Sequence, residues 1–302
     1  MNIRDLSFAV LALGLCFGNA TQAAESTRFH LDLNRPPPKI GDETDRTIHF
    51  SSTTSDSTTT QGRESTTNGC LFFELNDRET VLDWDVSNDW SKVEMVVHRF
   101  VDGDDHRTNE LLKAGTRIVG TALLGATFYE SKDAPLSTEA YQQLVRSYRL
   151  RPRDFTQFTH FQIPPSTTIG ETWEMPAPTN IEELVRVLGP SYTNTIQATG
   201  QFVGTTNLFG FDCFHLRFRI LATEIPEALR TAMTSHLPVS VKGQLGMTID
   251  LTVPFDVSRR TLREEVLTEF SDSGDMVIDG KHVMSSHGQV RLDFVDESRP
   301  IK

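Results

Sequence analysis

The sequence lacks a long hydrophobic run and has no excess of basic residues. No stretch reaches the roughly 18 consecutive apolar residues that a membrane-spanning helix needs, so we expect no transmembrane span. Acidic residues outnumber basic ones by 41 to 29, which gives a net charge of −12. No stripe of Lys and Arg interrupts this acidity. Nucleic acid and anionic lipid headgroups are therefore poor partners for the chain.

The sequence also lacks the motifs of catalysis, nucleotide binding and metal binding. It has no GxSxG elbow, no GxxxxGK[ST] loop and no GxGxxG after a predicted strand. Neither the His98/His106 pair nor the His282/His287 pair has helical i, i+4 spacing or a partner cluster. The Asp-rich turn at 102–106 lacks the closing Glu of a calcium loop. We predict no catalytic, cofactor-binding or metal-binding residue.

Cysteine is scarce, and the first of the three cysteines lies in an apolar N-terminal segment. Residues 1–24 combine Arg4, an apolar stretch at 8–17 and small residues that end at Ala24. This layout is typical of a secretory signal peptide, in which Cys16 is one more apolar residue. The alternative is that Cys16 is a lipidation site, but the residue before it is Leu15 rather than the small residue that such a site needs. We therefore expect an exported protein, in the periplasm or outside the cell.

Export would leave Cys70 and Cys213 in an oxidising compartment, where paired cysteines usually form disulfides. Both lie in strand-like runs, GCLFFEL and DCFHLRF. We predict a disulfide between them. The alternative is a reactive Cys213 thiol, which would need the ring of His215 to turn toward the sulfur.

The rest of the chain divides into a short spacer and a β-rich region. Residues 25–45 are polar and contain three consecutive prolines, which predicts an extended segment. Residues 46–298 form a β-rich domain, or two β-rich halves. Within it, the Ser/Thr-rich stretch predicts an exposed strand near 46–56 followed by a flexible loop.

Helical spacing and capping residues predict helices at about 138–149 and 180–189, with a third short helix after Pro226. Alternating apolar and polar residues predict strands before and after these helices, each with one solvent-exposed face. The fold class that follows is α+β and mainly antiparallel β, with a curved sheet or half-barrel and two or three inserted helices.

Two stretches contain candidate functional residues. In FGFDCFHLRF, alternation places Phe214, Leu216 and Phe218 on a core face and puts Cys213, His215 and Arg217 opposite. In TTIGETWEMPAP, Trp173 follows a turn glycine and precedes two prolines. It is either an aromatic residue at the mouth of a ligand cavity or a core tryptophan.

Three segments resemble a family of exported proteins. IGETWEMP, ATGQFVGTTNLFGFDCFHLRFRI and VPFDVSRRTLREEVLTEFSDSG are similar, in order and spacing, to uncharacterised β-rich proteins of environmental bacteria that contain domains of unknown function. The resemblance covers about 167–274, and Glu171 stands where an Asp is expected. It implies a curved antiparallel sheet with a few helices and assigns no catalytic residue.

Three hypotheses for function follow. The first is a non-catalytic protein of the cell envelope that binds an apolar or amphipathic, lipid-like ligand in the concave face of the sheet, which the 19 Phe would line. The second is a structural or protein–protein interaction module that binds another envelope protein. The third is a hydrolase without a recognisable motif.

Overall fold

A computed structural model describes residues 27–31, 38–85, 90–123, 126–147, 162–175, 196–223, 239–256, 259, 261–278 and 281–301. Within these ranges it contains fourteen strands and one helix. The strands are β1 Arg28–His30, β2 Glu43–Thr60, β3 Arg63–Asp85, β4 Trp90–Asp104, β5 Thr108–Leu112, β6 Arg117–Leu123, β7 Ala126–Ser131, β8 Ser166–Thr168, β9 Thr172–Glu174, β10 Ile196–Leu208, β11 Phe211–Ala222, β12 Val239–Pro254, β13 Arg263–Ile278 and β14 Lys281–Pro300. The helix is α1 Thr138–Ser147.

Twelve strands form one antiparallel sheet, and β1 pairs with β8 in a second, two-stranded sheet. The order in the large sheet is β7-β6-β4-β3-β2-β14-β13-β12-β11-β10-β9, with β5 added beside β4. Most neighbours in the sheet are also neighbours in sequence. There are two exceptions among the described strands. β6 pairs with β4 across β5, and β14 makes a long pairing with β2 that runs from Met284–Thr60 to Pro300–Thr44. This pairing joins the strands of the first third of the chain to those of the last third, and it confirms the mainly antiparallel β prediction.

The strand predicted near 46–56 is present as part of β2. The flexible loop predicted after it was wrong, because the Ser/Thr-rich stretch continues as a hairpin. β2 continues to Thr60, and β3 begins at Arg63 directly opposite it. The two residues between the strands, Gln61 and Gly62, both have positive φ, as a two-residue hairpin turn requires. Threonine favours extended backbone, and β2 is paired on both sides, with β3 and β14. Pairing with both neighbours therefore extends the strand through the polar stretch.

The helix predicted from residue 138 is present as α1. The Oγ of Ser137 accepts a hydrogen bond from the backbone N–H of Ala140 at 3.1 Å, so Ser137 is the N-cap. Ala140 and Leu144 are fully buried and pack against the sheet. The predicted helices at 180–189 and after Pro226 lie outside the described residues, and so does the end of the first one. The described part of the chain thus has one helix rather than two or three.

The pairing register explains why one face of the sheet is apolar. Residues directly opposite each other on paired strands point to the same face. One row of such residues crosses six strands from β11 to β3, and its members are Phe218, Ile249, Val266, Phe294, Phe50 and Phe73. We call the face that carries this row the inner face.

Two hydrophobic clusters lie on the inner face. The N-terminal cluster includes Ile48, Leu75 and Phe100 and is covered by α1. The C-terminal cluster includes Phe202, Leu216 and Phe218. The core face predicted for the FGFDCFHLRF strand is therefore confirmed.

Among the described residues, no helix is long and apolar enough to cross a membrane.

Candidate ligand-binding face and acid cluster

An apolar strip lies between the two clusters. It consists of the four apolar inner-face side chains of β13 and β14 that belong to neither cluster, namely Val266, Phe270, Val290 and Leu292, with Thr268 on the same face opposite Leu292. All four are half-buried, whereas the inner-face residues of the flanking clusters are mostly buried. Apolar side chains that keep part of their surface exposed in the middle of a sheet are suited to cover an apolar ligand.

A group of charged side chains adjoins one end of the strip. Asp296 follows Phe294 by two residues on the same face of β14. The guanidinium of Arg46 donates to both of its carboxylate oxygens, with an Nε to Oδ1 distance of 2.9 Å. Another nitrogen of Arg46 lies 3.5 Å from Oε2 of Glu79. Asp77 stands directly opposite Arg46 in the β2–β3 pairing. We call Arg46, Asp77, Glu79 and Asp296 the acid cluster.

Asp77 is the most deeply buried member of the acid cluster. Only 1% of its surface is exposed, and neither carboxylate oxygen has a hydrogen-bond partner among the described residues. Burial raises the pKa of Asp77 well above its usual range. Glu79 raises it further, and Arg46 offsets part of the effect. Asp77 is therefore held protonated at pH values where an exposed aspartate is ionised.

The charges of the acid cluster act on Tyr129, which lines an open cleft. Its side chain is buried, and burial raises the pKa of its phenol, on which the charges of Arg46 and Glu79 also act. Tyr129 also lines a cleft of about 540 Å³ between β7 and α1, together with Leu136 and Tyr141. Its ring lies edge-on to that of Tyr141, with centroids 6.4 Å apart.

The buried acid predicts a pH-dependent gain in stability for Asp77→Asn. Between about pH 4, where aspartate ionises in an unfolded chain, and the raised pKa of Asp77, unfolding releases a proton that the folded state keeps. The free energy of unfolding of the wild type therefore falls as pH rises through this window. Asparagine has no such proton. We expect the variant to be more stable by about 1–3 kcal/mol near neutral pH.

Urea denaturation at neutral pH and below about pH 4 would test this, because the gain should vanish where aspartate is protonated in both states. The matched control is Asp45→Asn. Asp45 is adjacent to Arg46 in sequence, but its side chain keeps 43% of its surface exposed and forms an ion pair with Arg78. A gain that is the same at both pH values would contradict the prediction.

The Cys-x-His-x-Arg row lies on the opposite, outer face, where it ties β11 to β12. Nε2 of His215 is 3.0 Å from Oδ1 of Asp250, and Nε of Arg217 donates to the same oxygen at 2.8 Å. Burial raises the pKa of Asp250, but the hydrogen bonds from His215 and Arg217 outweigh it, so the pKa is lowered overall. The Sγ of Cys213 donates to the carbonyl of Phe211 at 3.3 Å. These contacts give the row a structural role.

The predicted disulfide is not formed, since Cys70 and Cys213 are both present as thiols. Cys70 lies on β3 and Cys213 on β11, and the strands β2, β14, β13 and β12 separate them in the sheet. A disulfide needs Cα atoms about 4.4–6.8 Å apart, which is close to the spacing of adjacent strands. The sequence around each cysteine indicated a strand, but it did not indicate how many strands separate Cys70 from Cys213 in the sheet.

Trp173 lies at the edge of the C-terminal cluster. It pairs with Gly200 in the β9–β10 ladder and its ring lies edge-on to that of Phe218, with centroids 6.1 Å apart. The side chain is half-buried and packs against the cluster. The structure thus brings Trp173 to the row of inner-face residues that contains Val266. Its contribution to a ligand cavity stays a prediction.

Sequence reasoning missed the acid cluster. Asn76 and Asp77 resemble a turn signal, but they lie inside the long strand β3. The alternation of side chains could have indicated it. Asp77 and Glu79 lie on the same face of the strand as Leu75 and Val81, and all four are buried. Acidic residues at core positions of a strand indicate a buried polar group.

Comparisons with known proteins give weak similarities. No family model matches the chain, and no curated protein matches it. Among solved structures, the outer membrane protein OprG of Pseudomonas aeruginosa is 8% identical, with 89% of this chain and 99% of that chain covered and a TM-score of 0.15. A DUF1329 family protein of Desulfovibrio piger is 11% identical, with 85% of each chain covered and a TM-score of 0.14.

The outer membrane protein OmpT of Vibrio cholerae is 7% identical, with 82% of this chain and 99% of that chain covered and a TM-score of 0.22. TM-scores this low do not establish a common fold. These similarities do not place the chain in any of the families concerned.

Proposed function

We propose that this protein is an exported, non-catalytic protein of the cell envelope that binds an apolar or amphipathic ligand on the inner face of its sheet. The observation that carries the proposal is the apolar strip on β13 and β14. Its four side chains lie between two cores, belong to neither and are half-buried. The signal-peptide pattern of residues 1–24 supports export.

The surroundings of the strip favour an elongated ligand. Beyond Val290 and Phe270, the inner face continues into polar residues such as Asp56, Thr58 and Ser286. In the other direction, it reaches Asp296 and Arg46. The apolar surface is therefore bounded along the strands at both ends by polar groups. A ligand with an apolar body and a polar end matches this pattern better than one that is apolar throughout.

Leu292→Gln tests the proposal. Leu292 is half-buried on the inner face. The glutamine would remove apolar contact with the ligand and would put a polar amide group on the surface that the ligand covers. Burying one leucine side chain contributes roughly 1.5 kcal/mol, so binding of a fluorescent apolar probe such as N-phenyl-1-naphthylamine should weaken by about tenfold. Native mass spectrometry of protein purified without detergent would show whether a ligand of lipid-like mass is already bound.

Leu267→Gln is the matched control. Leu267 lies on β13 beside Val266, is also half-buried, and stands opposite Asp293 on the outer face. This variant should bind the probe as the wild type does. Equal binding by the two variants would exclude the strip as the binding surface. A wild type that binds no apolar probe and carries no ligand would favour the interaction-module hypothesis instead.

A further inference from the structure

We propose that the acid cluster is the headgroup site of this ligand-binding face, and that it selects an amphiphile with a protonated amine over one with a carboxylate. The inference rests on the proposed function, because it names the chemical class of the ligand that would bind there. It is carried by the position of the cluster, by its composition and by the unpartnered carboxyl group of Asp77.

The position of the cluster suits a headgroup. Arg46 and Asp296 lie on the paired strands β2 and β14. Each is two positions beyond an apolar inner-face residue of its own strand, Arg46 beyond Ile48 and Asp296 beyond Phe294. Their side chains keep 15% and 16% of their surface exposed. An apolar chain lying on Val266 and Phe294 therefore directs its polar end toward these two side chains.

The composition of the cluster favours a cationic headgroup. It contains three carboxyl groups and one guanidinium, and that guanidinium is already held by Asp296 and lies near Glu79. A ligand carboxylate would have to displace Asp296 from Arg46 and would then lie beside like charges. An ammonium group meets acceptors instead and can donate up to three hydrogen bonds.

Asp77 supplies an independent observation. It is the most deeply buried carboxyl group of the cluster, and both of its oxygens lack a partner among the described residues. Buried polar atoms without a partner are uncommon in folded proteins and indicate a missing water, ion or ligand group. The raised pKa of Asp77 is consistent with an acid whose counter-charge is supplied only in part by Arg46. The positive charge of an ammonium group bound beside Asp296 would favour the ionised form of Asp77.

A metal ion is a less suitable occupant. Among the described residues, no group of three His, Cys, Asp or Glu side chains has a geometry that could hold one. The adjoining apolar strip would also have no role in binding a bare ion. An alkyl amine uses both features at once.

Three ligands with the same alkyl chain test the inference, namely dodecylamine, dodecanoate and dodecanol. Each is used below its micelle concentration to displace N-phenyl-1-naphthylamine from the purified full-length protein near neutral pH. We expect dodecylamine to bind at least about tenfold more tightly than dodecanoate. Asp77→Asn should reduce this preference to about threefold or less, since it removes the carboxyl group without changing the shape of the side chain.

Asp45→Asn is the matched control, because Asp45 is adjacent to Arg46 in sequence, keeps 43% of its side-chain surface exposed and forms an ion pair with Arg78. It should keep the full preference for the amine. If Asp77→Asn does not fold, Asp296→Asn takes its place, and folding is checked by thermal unfolding. A wild type that binds dodecanoate as tightly as dodecylamine would overturn the inference. So would a preference that Asp77→Asn and Asp45→Asn share unchanged.

The outcomes separate this inference from the proposed function. If dodecanol and dodecanoate displace the probe but the amine has no advantage, the selection of an amine is refuted and ligand binding on the inner face stands. If none of the three ligands displaces the probe from the wild type, both proposals fail.

Discussion

Phe218→Ala is expected to destabilise the protein by about 3–5 kcal/mol, the usual range for removing a fully buried aromatic side chain from a core. Phe218 has no exposed surface and lies at the centre of the C-terminal cluster. It is opposite Gly200 on β10 and Ile249 on β12, and its ring contacts that of Trp173. Alanine would leave a cavity that three strands and the indole border. The change in the free energy of unfolding can be measured by urea denaturation.

Arg219→Ala is the control for this prediction, because Arg219 is the next residue on the same strand and is exposed on the other face. It should change the stability by about 0.5 kcal/mol or less. A cost for Phe218→Ala of under about 1 kcal/mol would mean that the C-terminal cluster does not pack as described.

Gly200→Val is expected to destabilise the protein by about 3 kcal/mol through overpacking. A Cβ at position 200 would lie 2.3 Å from the nearest indole carbon of Trp173, which is far inside van der Waals contact. Because the ring is also held against Phe218, it cannot move aside without losing that contact. The expected result is that β9 detaches from β10, which near-ultraviolet circular dichroism and tryptophan fluorescence would report along with the loss of stability.

Two further variants show whether the indole is the cause. In a Trp173→Ala background, Gly200→Val should cost less than about 1 kcal/mol, since valine itself favours a strand. Gly246→Val serves as the position control, because a Cβ at Gly246 meets no atom within 4 Å. If Gly200→Val is equally destabilising with and without the tryptophan, the close contact between the two residues does not explain the effect.

Both predictions concern features for which local sequence was a partial guide. The alternation in FGFDCFHLRF correctly predicted that Phe214, Leu216 and Phe218 face the core, because side chains on a strand alternate between its two faces. The reason why residue 200 is glycine was not visible in the sequence. It depends on Trp173, a residue 27 positions away that belongs to another strand.

The same division applies to the candidate site. The abundance of phenylalanine and the alternating strands indicated an apolar face and a class of ligand. They did not indicate that Val266, Phe270 and Leu292 would lie between two clusters. That location follows from the pairing of β14 with β2, which brings together residues more than 200 positions apart in the chain.

What the sequence by itself determined is therefore local. It determined the antiparallel β character, the apolar face of individual strands and the N-terminus of α1, because alternation, helical spacing and a capping serine act between residues a few positions apart. Only the tertiary structure decided which strands are neighbours, and with that the separation of Cys70 from Cys213, the extension of the Ser/Thr-rich hairpin and the assembly of Arg46, Asp77 and Asp296. These outcomes depend on hydrogen-bonded pairing between distant segments, and each strand's own alternation is compatible with many such pairings.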